Sequence, residues 1–85
     1  MISFFETASY RKSIAILEDV ARLAVLEKLE YIALSENPLF FAKKLRGYKD
    51  IFRFRCNDYR IIFRLERAEI ILLMVKHRKD IYESL

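Results

Sequence analysis

From Phe52 to Leu65 the chain alternates large apolar and charged residues around a two-residue break. Phe52-Arg53-Phe54-Arg55-Cys56 is followed by Asn57-Asp58 and then by Tyr59-Arg60-Ile61-Ile62-Phe63-Arg64-Leu65. A period of two belongs to a strand with one face buried. Asn and Asp both tolerate the left-handed backbone angles of a tight hairpin turn. The spacing predicts a β-hairpin that sets Cys56 against Tyr59, Arg55 against Arg60, Phe54 against Ile61, Arg53 against Ile62 and Phe52 against Phe63. Phe52, Phe54, Ile61 and Phe63 then share one face, and Arg53, Arg55 and Arg60 the other. A slip of one residue would drive the arginines into the core, so the facing is strongly specified. Like charges directly opposite one another are unfavourable. Placing Arg55 against Arg60 makes sense on a face that receives a polyanion or an acidic partner.

A third strand is predicted over Ile70 to Lys76, after a turn at Arg67-Ala68. It is apolar on both faces and so belongs inside the sheet. The same pairing rule sets Ile61 against Met74, Arg60 against Val75 and Tyr59 against Lys76, so that Lys76-His77-Arg78-Lys79 emerges beside Arg60. Upstream, Ile2 to Glu6 reads as a short strand. Thr7 can cap a helix over Ala8 to Leu17. Asp19 is placed to start a second helix, whose Val25, Leu26, Leu29, Ile32 and Ala33 form an apolar stripe ended by Asn37-Pro38. Gly47, the only glycine, is expected to supply a turn of positive φ between the helical half and the strands. The expected fold is α+β: two N-terminal helices packed on one face of a small, mainly antiparallel, twisted β-sheet, all in a single domain over 1–85.

With 85 residues, 54% of them hydrophobic and 14% aromatic, one core can form without disulfide or metal staples. Cys56 is the only cysteine, which excludes an internal disulfide, leaves no zinc ligand set and fits a reducing, cytoplasmic setting. No apolar run reaches the length of a membrane span and the N-terminus has no signal-like pattern. No metal or organic cofactor is expected. Charge is uneven: residues 1–42 hold four Lys/Arg against six Asp/Glu, and residues 43–85 hold twelve against six. A basic half on a small domain is the footprint of a nucleic-acid binder, although a solubilising surface would have the same composition.

Lys44-Leu45-Arg46-Gly47-Tyr48, Phe52-Arg53-Phe54-Arg55, Asp58-Tyr59-Arg60-Ile61-Ile62-Phe63 and His77-Arg78-Lys79-Asp80-Ile81-Tyr82, taken together, resemble the RelE/ParE toxin superfamily. The resemblance covers essentially the whole chain and is closest to the RelE-type mRNA interferases. It implies a microbial-ribonuclease-like fold and the toxin of a type II toxin–antitoxin pair. For the RelE type it also implies ribosome-dependent endoribonuclease activity: mRNA is cut in the A site by attack of the ribose 2′-OH, leaving a 2′,3′-cyclic phosphate. The implied partners are a cognate antitoxin, whose partly disordered segment masks the basic face, and the ribosome with its message.

By the same resemblance, the catalytic positions fall on Arg53, Arg55, Arg60, Arg78 and Tyr82. Where some members carry lysines at the first pair, this chain has arginines, which hold phosphates but do not exchange protons. Proton transfer then falls to Tyr82 or to His77, whose imidazole has the better intrinsic pKa for a base. Tyr82 could instead cap the core or stack on a base, and a lone histidine beside a strand end is commonly an ordinary surface residue. Lys43, Lys44, Arg46, Lys76 and Lys79 are the further expected RNA-binding cations. Two other readings stand beside the nuclease: a ParE-like, non-nucleolytic inhibitor of DNA gyrase, and an inactive RNA-binding relative.

Overall fold

The computed structural model describes residues 3–80. Its elements are β1 (Ser3–Glu6), α1 (Ala8–Ala15), α2 (Asp19–Ala33), a 3₁₀ turn at Pro38–Phe41, β2 (Ala42–Lys44), β3 (Ile51–Cys56), β4 (Tyr59–Glu66) and β5 (Glu69–His77). The five strands form one sheet in the order β1-β5-β4-β3-β2. Only β1 and β5 run parallel; the other neighbours are antiparallel. The α+β arrangement expected from the sequence is therefore present, with β5 inside the sheet. Ile2, the start of the expected first strand, lies outside the described residues.

Both helices lie on one face of the sheet. Tyr10, Val25 and Ile32 pack there against Phe54, Ile61, Phe63, Ile70, Leu72 and Val75. Phe54 and Phe63 stack with ring centroids 4.5 Å apart, and Phe52 adds to the stack 5.6 Å from Phe63. Each such buried side chain contributes roughly 1.5–3 kcal/mol of transfer free energy. The apolar stripe of α2 is narrower than its spacing suggests. Val25 and Ile32 are buried and Leu29 packs against them, whereas Leu26 is 46% exposed and Ala33 is exposed. Consecutive helical residues point about 100° apart, so the neighbour of a buried residue turns toward solvent.

Thr7 caps α1 as expected, accepting from the Tyr10 N–H at 3.1 Å, and its hydroxyl also donates to the Leu72 carbonyl at 2.7 Å. The helix ends at Ala15, two residues before the expected Leu17. Arg22 takes over there, donating to the carbonyl of Leu17 at 2.9 Å and so tying α2 to the end of α1. β1 pairs with β5 only as far as Leu72. Beyond that point α1 lies along the edge of β5, where the Ser13 hydroxyl accepts from the Val75 N–H at 2.9 Å. An edge amide that no strand partners is thereby satisfied.

The first hairpin has the predicted register at every pair, with Asn57 at φ +55° in its turn. The second departs from it. From Glu66–Glu69 to Phe63–Leu72 the pairing rule holds, but a β-bulge at Ile62/Phe63 then shifts the register by one. Arg60 consequently faces Lys76, Tyr59 faces His77 and Ile61 faces Val75, in place of the Val75, Lys76 and Met74 expected. An extra residue in one strand cannot be seen from alternation when that strand is apolar on both faces.

The arginine face also carries a small core of its own. Ile62 is fully buried beneath Leu45, with Tyr48, Ile51, Leu73 and Met74 around them. The covering loop turns at Gly47, whose φ of +83° is the positive value expected.

Candidate nucleic-acid interface

Two cross-strand rows organise the cationic face. In the first, β2 contributes Lys43 opposite Arg53, which is opposite Ile62 and then Met74. In the second, Arg55 stands opposite Arg60, which stands opposite Lys76. Neighbouring strands are about 4.8 Å apart, so three cations occupy one short line. Arg78 joins them from the end of β5. Its N–H donates to the Asp58 carbonyl at 2.7 Å, and its guanidinium Nε lies 3.8 Å from the Asp58 carboxylate. Asp58 thus anchors the chain beyond β5 to the hairpin tip, although its sequence signal is only that of a turn residue.

Arg60 is the centre of the cluster. Its Nη1 donates to the carbonyls of Asn57 and Tyr59, both at 2.9 Å, which fixes the guanidinium at the hairpin tip. Desolvation, followed by the like charges of Arg55, Arg53 and Arg78, holds it below the ordinary arginine value, with Asp58 opposing. A site that repels its own cations is one that an anion stabilises.

The remaining sequence-predicted residues divide between the faces. Lys43 joins the cationic face, and a cleft of about 530 Å³ lined by Lys43, Lys44, Leu45, Arg46, Gly47 and Arg53 opens beside it. Lys44 is paired with Phe52, so it alternates to the helix side of the strand although it borders that cleft. Lys79 is exposed in the turn after β5. His77 does not join the arginines. It is the cross-strand partner of Tyr59, whose ring packs on the helix-side core; the two rings meet edge to face at 5.5 Å, and Nδ1 accepts from the Lys79 N–H at 3.2 Å. The bulge is the cause, since the unshifted register would have set Val75 beside Arg60. Tyr82 lies outside the described residues.

Cys56 is buried on the helix side, where burial pushes its thiol up and Lys28 opposes the shift. That direction disfavours the thiolate that a nucleophilic cysteine needs. Among the described residues no group of His, Cys, Asp and Glu could hold a metal ion. No helix among them is long and apolar enough to cross a membrane.

Residues 8–82 match the family described as ParE toxin of type II toxin–antitoxin system, parDE. The chain belongs to this family. It is thus the toxin component of a type II toxin–antitoxin system within the RelE/ParE superfamily. Solved structures share the fold. The RelBE2 toxin–antitoxin complex of Mycobacterium tuberculosis is similar at a TM-score of 0.75 and 28% identity, over 91% of this chain and 98% of the other. The RelB–RelE complex of Methanococcus jannaschii gives 0.76 at 24% identity, over 95% and 98%. The intact RelBE complex of E. coli gives 0.69 at 17% identity, over 91% and 96%. No curated protein matches the toxin.

Proposed function

We propose that this toxin is a ribosome-dependent endoribonuclease that cuts mRNA in the A site. The observation that carries the reading is the convergence of Arg53, Arg55 and Arg78 on Arg60, a cluster whose mutual repulsion a phosphate would relieve. In the reaction the 2′-oxygen attacks the adjacent phosphorus, the bond to the 5′-oxygen breaks, and a 2′,3′-cyclic phosphate and a 5′-hydroxyl result. Negative charge builds on the phosphoryl oxygens in the transition state, and fixed guanidinium donors stabilise it more than the ground state. Arg60 and Arg55 would hold the scissile phosphate, with Arg53 and Arg78 on either side. The 2′-OH proton goes to Tyr82, the position the resemblance supports, because His77 faces the helix side of the sheet. A tyrosine acting as base would need its phenolate form, which guanidinium charge close by would favour.

The partner in this reading is an antitoxin, as in the structural neighbours that are toxin–antitoxin complexes with RelB. An acidic segment laid across Arg53, Arg55 and Arg60 would both neutralise and mask the site.

The match to the ParE family favours a second reading, inhibition of DNA gyrase without nucleolysis. Two assays on the purified protein separate them: cleavage of a message on programmed ribosomes, and gyrase-catalysed supercoiling of plasmid DNA. Cleavage with unaffected supercoiling is the expected result. Inhibited supercoiling with an intact message would replace the nuclease reading.

A further inference from the structure

We propose that the RNA strand crosses the sheet perpendicular to the strands and leaves it over α1, where Lys12 holds a phosphate flanking the scissile one. This rests on the nuclease reading and extends it to the path of the substrate. The second cation row runs Arg55, Arg60, Lys76 from β3 to β5, a span of roughly 10 Å at the usual strand spacing. In a sheet completed by β1 the row would end at another strand. Here β1 stops pairing at Leu72, and the edge beside Val75 and Lys76 is occupied by α1, fastened through Thr7 and Ser13.

That substitution brings helical side chains to the end of the row. Lys12 and Lys76 line one cleft of about 410 Å³ together with Ser9, Ser13, Ile16 and Met74. Lys12 is exposed in the last turn of α1. Among the described residues, neither Lys12 nor Lys76 has a carboxylate within ion-pair distance. Two lysines lining one cleft, of which Lys76 stands opposite Arg60 and so continues the Arg55–Arg60 pair, suit successive phosphates of a single strand. The Ser9 hydroxyl adds a neutral donor, and Met74 and Ile16 offer apolar surface to a ribose or base. This role is not legible in the sequence, because Lys12 lies in the acidic half and comes beside Lys76 only through the docking of α1.

The test is binding of the full chain to a fluorescein-labelled twelve-nucleotide oligouridylate across a range of salt concentrations. Each single-strand phosphate contact contributes about 0.7 to the slope of log K against log salt. Lys12→Gln should lower the slope by about that amount and weaken low-salt binding several-fold. Lys12→Arg should retain both, as should Lys28→Gln, whose ammonium lies over the Tyr31 and Phe41 rings on the helix side. A Lys12→Gln slope equal to wild type, with wild type still steep, would overturn the path over α1 and leave the arginine face standing. A wild-type slope near zero would overturn both. An unchanged RNA slope with weakened capture of the cognate antitoxin would assign the cleft to protein binding and also refute the proposal.

Discussion

Arg55 and Arg60 sit directly across from one another on adjacent strands, and Lys76 extends the pair onto a third. Cross-strand like charges cost stability, and Arg60 is disfavoured further by partial burial and by Arg53 and Arg78. Folding and function therefore pull in opposite directions at Arg60. Arg60→Gln is expected to lower cleavage about a hundredfold, on the order of 3 kcal/mol in the barrier. Its unfolding free energy should stay within about 0.5 kcal/mol of wild type or rise above it. Denaturant melts and a growth-inhibition assay read both quantities, and full toxicity in a folded variant would remove Arg60 from the site.

In this account proton transfer falls to Tyr82 and not to His77. His77 pairs with Tyr59 on the helix side and accepts from the Lys79 N–H. His77→Gln should leave single-turnover cleavage within a few-fold of wild type. Tyr82→Phe keeps the ring and should cost about two to four orders of magnitude. The reverse pattern would return the proton to His77 and require the end of β5 to turn over when RNA binds.

Phe54 is fully buried between Phe4 and Phe63, with ring centroids 6.5 and 4.5 Å away. Phe54→Ala should destabilise the domain by roughly 3–5 kcal/mol through loss of transfer free energy and an unfilled cavity. The fraction that remains folded should bind the oligouridylate with wild-type affinity, since Phe54 faces away from the arginines. Equilibrium unfolding monitored by circular dichroism gives the first quantity.

Tyr10 is 1% exposed, and its hydroxyl has no hydrogen-bond partner among the described residues. Burial, with a smaller contribution from Glu6, pushes its pKa up to about 12 from 10.0. Between those values the unfolded chain releases a proton that the folded chain keeps. The tyrosine's contribution is therefore whole below pH 10 and is lost as the pH rises toward 12. Tyr10→Phe should flatten this alkaline decline and raise stability near neutrality by about 1 kcal/mol, the cost of an unpaired buried hydroxyl. A variant less stable than wild type at pH 7 would mean that the hydroxyl has a partner such as an ordered water.

The first hairpin was legible because phenylalanine and arginine alternate along β3 and the two faces differ in charge, so only one register keeps Arg53, Arg55 and Arg60 out of the core. β5 lacked that contrast. A run such as Ile70-Ile71-Leu72-Leu73-Met74-Val75 gives no penalty for an extra residue, and the bulge that reassigns His77 was invisible for that reason. The caps at Thr7 and the turn at Gly47 were readable from single residues whose chemistry is local. Lys43 could be recognised as basic but not as the cross-strand neighbour of Arg53, since the three residues of β2 are too few to show a period. Ile62 lies on the arginine face opposite Arg53, and the Leu45–Tyr48 loop folded over it explains its burial.

The most direct test of the arginine face as a catalytic site is single-turnover incubation of purified ribosomes, programmed with a defined message, with the wild-type toxin and its Arg60→Ala variant. The readouts are the mapped position of the 3′ end and its terminal group. A cut within the A-site codon that leaves a 2′,3′-cyclic phosphate, needs the ribosome and slows about a hundredfold in the variant is the expected result. A message left intact by the wild-type protein, or cut equally fast by both, would contradict it.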